Sequence, residues 1–169
     1  MKDLLSKLSS YDIFNYLLTG VVFATLTKAS TNFELVVSDP VAAGFMYYFM
    51  GLVVSRLGSL VIEPALKAAG FVKFTSYTDF IIASKKDPKV EELSAVNNTY
   101  RTLISVALAV LLVKGYEKLE AWCVSLANWR ILLLSAGLFL LFLVSYRKQT
   151  AYVRERVQLH TKAISKTTD

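Results

Sequence analysis

Four stretches of this chain are apolar around most of a helical circumference, and the polar residues between them mark where each stops. Gly44 to Glu63, GFMYYFMGLVVSRLGSLVIE, matches one bilayer thickness at the usual helical rise. Gly44, Gly51 and Gly58 recur in it every seven residues, with Ser55 between the last two. Such a row lets another helix approach closely, either in the same subunit or in a neighbouring one. The same run carries Arg56 and Glu63. Opposite charges in an apolar segment need an enclosed place to meet, so this span is expected to be packed inside something.

The other stretches follow from their start and stop signals. Ser9 as N-cap with Asp12 three positions on predicts a first helix from about Ser10 to Thr27. Its polar residues Asp12, Asn15 and Thr19 fall at i, i+3 and i+7, one stripe on an otherwise apolar surface. Residues 28–39 lack a helical period and read as a connection. Asp39-Pro40 opens the second helix, Pro64 is expected to kink it, and Gly70 to cap a short continuation. Residues 71–87 mix aromatics with charge and read as lying at a membrane surface or on a cytosolic partner. Asp87-Pro88 opens a helix that continues through Asn97, Asn98 and Arg101 into a third span, Thr102 to Val113, ending near Gly115 or a turn later. Asn128 is the expected N-cap of the fourth span, Trp129 to Tyr146. Neither Gly nor Pro follows it, so the helix should run on to about Ile164.

The fold class predicted is therefore all-α, a four-span transmembrane helical bundle with a cytosolic helical extension of the last span. Residues 1–149 form the transmembrane domain, with a cytosolic connection at 65–96, and 150–169 form the tail.

Composition agrees with lipid as the surrounding medium: 54% of the 169 residues are hydrophobic, 19% are charged, and mean hydropathy is +0.46. The net charge of +6 is unevenly spread. Lys2, Lys7, the cations of 65–101 and those of the tail lie on one side of the expected membrane. Lys28, Lys114, Lys118 and Arg130 lie on the other. By the positive-inside rule both termini face the cytoplasm. Cys123 and His160 are the only residues of their kinds, which leaves no zinc site, no His-based triad and no intrachain disulfide. No nucleophile or phosphate-binding loop accompanies the carboxylates, so neither an enzyme nor a bound cofactor or metal is expected.

With the spans oriented, Arg56, Glu63, Asn97, Asn98 and Arg101 gather toward the cytoplasmic face. They read as an inner polar cluster forming a gate or ligand site, or as a static network that fixes helix packing. Asp12, Asn15 and Thr19 are the candidate pore lining, although capping explains Asp12 equally well. Gly44, Gly51, Ser55 and Gly58 are the candidate packing surface. Arg147, Lys148, Arg154 and Arg156 are the candidate contacts for a soluble partner. Phosphates of a nucleic acid or nucleotide are a weaker possibility there, because the positive-inside rule already explains most of the charge. Val153, Val157, His160 and Ile164 recur at helical spacing as a seam for another subunit or a soluble protein. Four spans with so little polar lining suit a homo-oligomer, with a tetramer as the default.

The segments SSYDIFNYLLTGVVF, RLGSLVIEPALK and DPKVEELSAVNNTYRTLIS resemble small multi-span inner-membrane proteins of bacterial antiphage defence loci. The membrane subunits of Hailong-type and Kiwa-type systems are the nearest comparison in architecture. The resemblance implies a membrane-disrupting or membrane-sensing subunit controlled by a soluble partner. Together with the polar stripe it suggests an oligomeric ion-conducting effector gated by a cytosolic signal. A non-conducting membrane scaffold for a soluble defence protein and a holin-like lysis protein are the alternatives.

Overall fold

The computed structural model describes the backbone of residues 2–165 and the side chains of residues 13–161. Among the described residues the regular structure is all helical, without strands. The helices are α1 (Lys2–Ser30), α2 (Pro40–Ala68), α3 (Tyr77–Lys86), α4 (Lys89–Trp122) and α5 (Ser125–Ser165). Helix α1 packs most extensively on α2, and α4 lies against both. Helix α5 leans on α2 and α4, while the short α3 bridges α4 and α5 at one end.

Helix α2 starts where Asp39-Pro40 places it, with the Asp39 carboxylate accepting the Ala42 amide at 2.7 Å. It ends in a Schellman motif: the Phe71 amide reaches the Leu66 carbonyl, the Gly70 amide reaches Lys67, and Gly70 sits at φ +71°. Between these ends the helix widens to a π-helical turn over Gly58–Ile62 before Glu63–Ala68 resumes the α form. The irregularity expected at Pro64 thus lies in the turn before it.

Three expected boundaries change. Helix α1 begins at Lys2, so Ser9 lies inside it and does not cap it; residues 2–8, KDLLSKL, contain no Gly or Pro to stop the helix. Helix α4 passes straight through Gly115 and ends at Trp122. An interior glycine costs only about 1 kcal/mol, and Lys114 bonds Glu117 across this turn. Helix α5 begins at Ser125, which puts Asn128 inside its first turn.

The interior of the bundle is made of small and hydroxyl side chains. Ala24, Ala43, Val54, Val106 and Ala109 are buried beside Thr19, Thr27, Ser55, Thr102 and Ser105. The large apolar residues point outward, among them Phe14, Phe45, Leu111, Ile131, Leu134 and Phe139. Accessible surface totals 12404 Å², against roughly 8,300 Å² for a water-soluble monomer of this mass. Helix α2 and, within α5, Ser125–Thr161 are long and apolar enough to cross a membrane. The rest of the chain covers 17% of the most apolar window of α2 and 0% of that of α5.

Candidate functional site

The α1–α2 contact sets the geometry of the site. A Cβ added at Gly20 would collide with the Tyr47 backbone carbonyl, and one at Gly51 with that of Tyr16. Each glycine thus receives the other helix's backbone one turn from its partner contact, and the two helices touch main chain to main chain. Gly58 plays the same part toward α4, where a Cβ would meet the Ser105 hydroxyl. Gly51, Ser55 and Gly58 therefore pack within one subunit. Gly44 has nothing within 4 Å.

Below this contact, at the end of the bundle where α3 crosses, Glu63 is surrounded by cations. Its Oε2 accepts Arg101 Nη1 at 2.6 Å, its Oε1 accepts Lys67 Nζ at 3.1 Å, and Lys148 Nζ stands 3.6 Å away. The Glu63 side chain is 10% exposed and Lys67, one turn on, 44%. One carboxylate thus joins α2 to α4 and α5 and leaves the cluster with an excess of positive charge.

Lys148 has a second task. The Glu63 amide donates to the Gly58 carbonyl in the π turn, and Pro64 has no amide to give. The Ser59 carbonyl is left without a helical donor. Lys148 Nζ fills that place, donating at 2.8 Å to the Ser59 carbonyl and at 2.8 Å to its hydroxyl. The Lys148 ammonium also lies 5.9 Å from the Tyr152 ring, which packs on Tyr77 of α3 at 5.1 Å.

Beside the cluster is a cavity of about 290 Å³, open on one side. Asn15 and Tyr16 of α1, Ser55 of α2, Phe80 of α3, and Ser94, Asn98, Arg101 and Thr102 of α4 line it, with Glu91 at its edge. Arg101 reaches Glu63 through one nitrogen, and its buried Nε has no hydrogen-bond partner among the described residues. Helix α3 carries Phe80 over the cavity. Its start is fixed by a reciprocal cap in which the Asp79 amide donates to Ser76 Oγ and the Ser76 hydroxyl donates to the Asp79 carboxylate.

The expected site residues fall as follows. Glu63 and Arg101 are bonded directly, Asn98 and Asn15 line the adjoining cavity, and Asn97 is exposed outside it. Arg56 makes no ion pair with Glu63; it faces a groove between α2 and α5. Thr19 is buried in the bundle at 3% exposure, and the side chain of Asp12 lies outside the described residues. Of the tail cations, Arg147, Arg154 and Arg156 are exposed, whereas Lys148 is turned inward.

The opposite end of the bundle holds a clasp that pattern reading missed. Glu117 accepts the Asn32 backbone amide at 2.7 Å and its side-chain amide at 2.8 Å on one oxygen, and Lys114 at 2.5 Å on the other. The Lys114 bond first, then the Asn32 amide, hold the Glu117 carboxyl below its ordinary pKa. Arg130 pairs with Glu120 and lies over the Phe33 ring, and the Tyr116 hydroxyl donates to the Leu126 carbonyl. The signal for Glu117 was its i, i+3 spacing from Lys114.

No family model, curated protein or solved structure matches the chain.

Proposed function

We propose that the chain is a multi-pass protein of the bacterial inner membrane, with four spans and both termini in the cytoplasm. In this reading α1, α2, α4 and α5 cross the bilayer, and α3 lies at its cytoplasmic surface. Support comes from the uncovered apolar faces of α2 and α5, which water would not tolerate and lipid would. The aromatic residues agree. Trp122 and Trp129 are exposed at the Glu117 end, and Tyr100 and Tyr146 are exposed toward the Glu63 end.

Within that frame the protein acts as an oligomeric ion-conducting effector, gated from the cytosol, as its resemblance to membrane subunits of antiphage defence systems implies. One observation carries the conducting reading: a cavity lined by Asn15, Asn98, Arg101 and Phe80 opens beside the bundle at the end where α3 crosses. Charge and amide groups there are costly unless water or ions reach them. Buried hydroxyls of Thr19, Thr102 and Ser105 continue from it into the bundle. The path would thus run within the helices, with α3 as the movable cover and the α5 extension as the receiver of the signal through the Tyr77–Tyr152 contact. Activated cells should depolarise, as read by a potential-sensitive dye. Asn15→Leu should change the conductance while the protein still inserts. A normal membrane potential in the activated state would remove this reading.

A second reading rests on the exposed Val153 and Val157 beside Arg154 and Arg156, an amphipathic surface suited to a soluble protein. A non-conducting scaffold should lose its co-purifying partner when residues 150–169 are deleted, with the oligomer intact.

A further inference from the structure

Arg56 is a half-buried cation in the inner half of α2, and among the described residues no carboxylate pairs with it. Glu63, seven residues on, is already bonded by Arg101 and Lys67 and approached by Lys148. A guanidinium in an apolar helix needs an anion, and none of the described carboxylates supplies one.

Arg56 borders a groove of about 320 Å³ between α2 and α5, lined also by Leu52, Phe142, Ser145, Tyr146 and Gln149. Ser145 is 9% exposed, and its hydroxyl has no hydrogen-bond partner. Other helical hydroxyls here, those of Thr102, Ser105 and Thr150, bond back to the carbonyl four residues before. Ser145 does not, so the wall of this groove holds a buried hydroxyl without a partner as well as the unpaired cation. Leu52 and Phe142 give the groove an apolar wall, and Phe49 packs on Phe142 at 6.1 Å. A cation and a free hydroxyl in a groove with an apolar wall match a phosphate joined to an acyl chain.

We infer that this groove binds one anionic phospholipid of the inner leaflet. Arg56 holds the phosphate through its two-pronged donor face, Ser145 and Gln149 bond the headgroup oxygens, and Leu52 and Phe142 receive the upper acyl chain. Net negative charge is favoured over a zwitterion because Lys67, Arg101 and Lys148 outnumber Glu63 nearby and would repel a headgroup ammonium. The site rests on the membrane-spanning reading.

The test is native mass spectrometry of the full chain in mild detergent, titrated with phosphatidylglycerol or phosphatidylcholine. The expected result is one phosphatidylglycerol retained per chain, with phosphatidylcholine about tenfold weaker. Arg56→Gln and Ser145→Ala should each weaken phosphatidylglycerol retention, Arg56→Gln by about tenfold. Ser145→Ala removes a single hydroxyl and should leave the fold intact. Arg154→Gln, which removes a charge from the exposed tail, should leave retention unchanged. Equal retention of the two lipids, an equal loss in Arg154→Gln, or displacement of the lipid by inorganic phosphate at similar concentration would overturn the site. So would an Arg56→Gln protein that loses its oligomer but keeps its lipid, since the missing anion would then come from a second copy. A chain that stays in solution without detergent would instead sink the membrane reading before any lipid is added.

Discussion

Lys148 Nζ sits 2.8 Å from the carbonyl oxygen of Ser59, a residue 89 positions away in sequence. The bond exists because the π turn draws the Glu63 amide to Gly58, and Pro64, next in that register, has no amide for Ser59. Lys148→Met should therefore destabilise the protein by about 2 kcal/mol, the scale of a lost charged hydrogen bond that leaves its acceptor buried. In a Pro64→Ala background the helix regains an amide donor, and the same substitution should cost clearly less. Melting temperatures of the four proteins in one detergent measure this coupling. Strictly additive effects would show that Lys148 does not replace the missing amide.

Glu63 should be the most costly single loss in its cluster. Glu63→Gln leaves Arg101, Lys67 and Lys148 facing one another without a counter-charge, a change on the order of 3 kcal/mol. Arg101→Met should cost less, because two lysines still face the carboxylate. Lys67→Met, which removes a largely exposed partner, should cost below about 1 kcal/mol. The order is checked by thermal melting, and a Lys67 variant as damaged as the Glu63 variant would refute it. Arg56→Ala leaves all three partners of Glu63 in place, so it should not unpair that carboxylate, contrary to the expectation from spacing alone.

The chain announced its helices better than their ends. Asp39-Pro40 and Gly70 act as their residue types dictate, because each fixes a local backbone geometry that packing does not override. The Ser-x-x-Asp cap was legible but occurs twice. At Ser9 helix-forming residues precede it and the helix runs through; at Ser76 it follows the Gly70 stop and opens α3. Glu63 and Arg101 stood out as charges in apolar company, and they do meet. Their third partner, Lys148, was hidden by its place in a run of tail cations, where nothing local marks the one that turns inward. Gly20 was likewise hidden: a lone glycine has no row to betray it, and only the backbone of Tyr47 explains it.

Acid should loosen the opposite end of the bundle. Glu117 holds its proton less tightly in the folded protein than in the unfolded chain, through Lys114 and Asn32. Its contribution is complete above the ordinary carboxylate value of about 4.5 and fades as pH falls through the lowered one, because the unfolded chain then binds more protons. Amide protection in residues 31–39, measured relative to the intrinsic exchange rate at each pH, should therefore fall below about pH 4.5 in the wild-type protein. Glu117→Gln should exchange faster at neutral pH and change less across that window. Parallel pH curves for the two proteins would remove Glu117 as the cause.

The seven-residue glycine row and Gly20 fall into three kinds of position, and substitution should separate them. At Gly20 and Gly51 the colliding atoms are backbone carbonyls of the facing helix, which cannot swing away as a side chain does. Gly20→Ala and Gly51→Ala must therefore push α1 and α2 apart, at about 3 kcal/mol or more each. At Gly58 the obstacle is the Ser105 hydroxyl, and a rotation about χ1 relieves part of the clash. Gly58→Ala should fall between these and Gly44→Ala, which meets nothing and should stay within about 0.5 kcal/mol. Gly44 is thus the one member of the row free to face a neighbouring subunit. If it does, Gly44→Leu should lower the oligomer fraction on size-exclusion chromatography while leaving the α1–α2 contact intact. An unchanged oligomer would confine the row to packing within one chain, and a Gly51→Ala protein as stable as wild type would contradict the backbone contact itself.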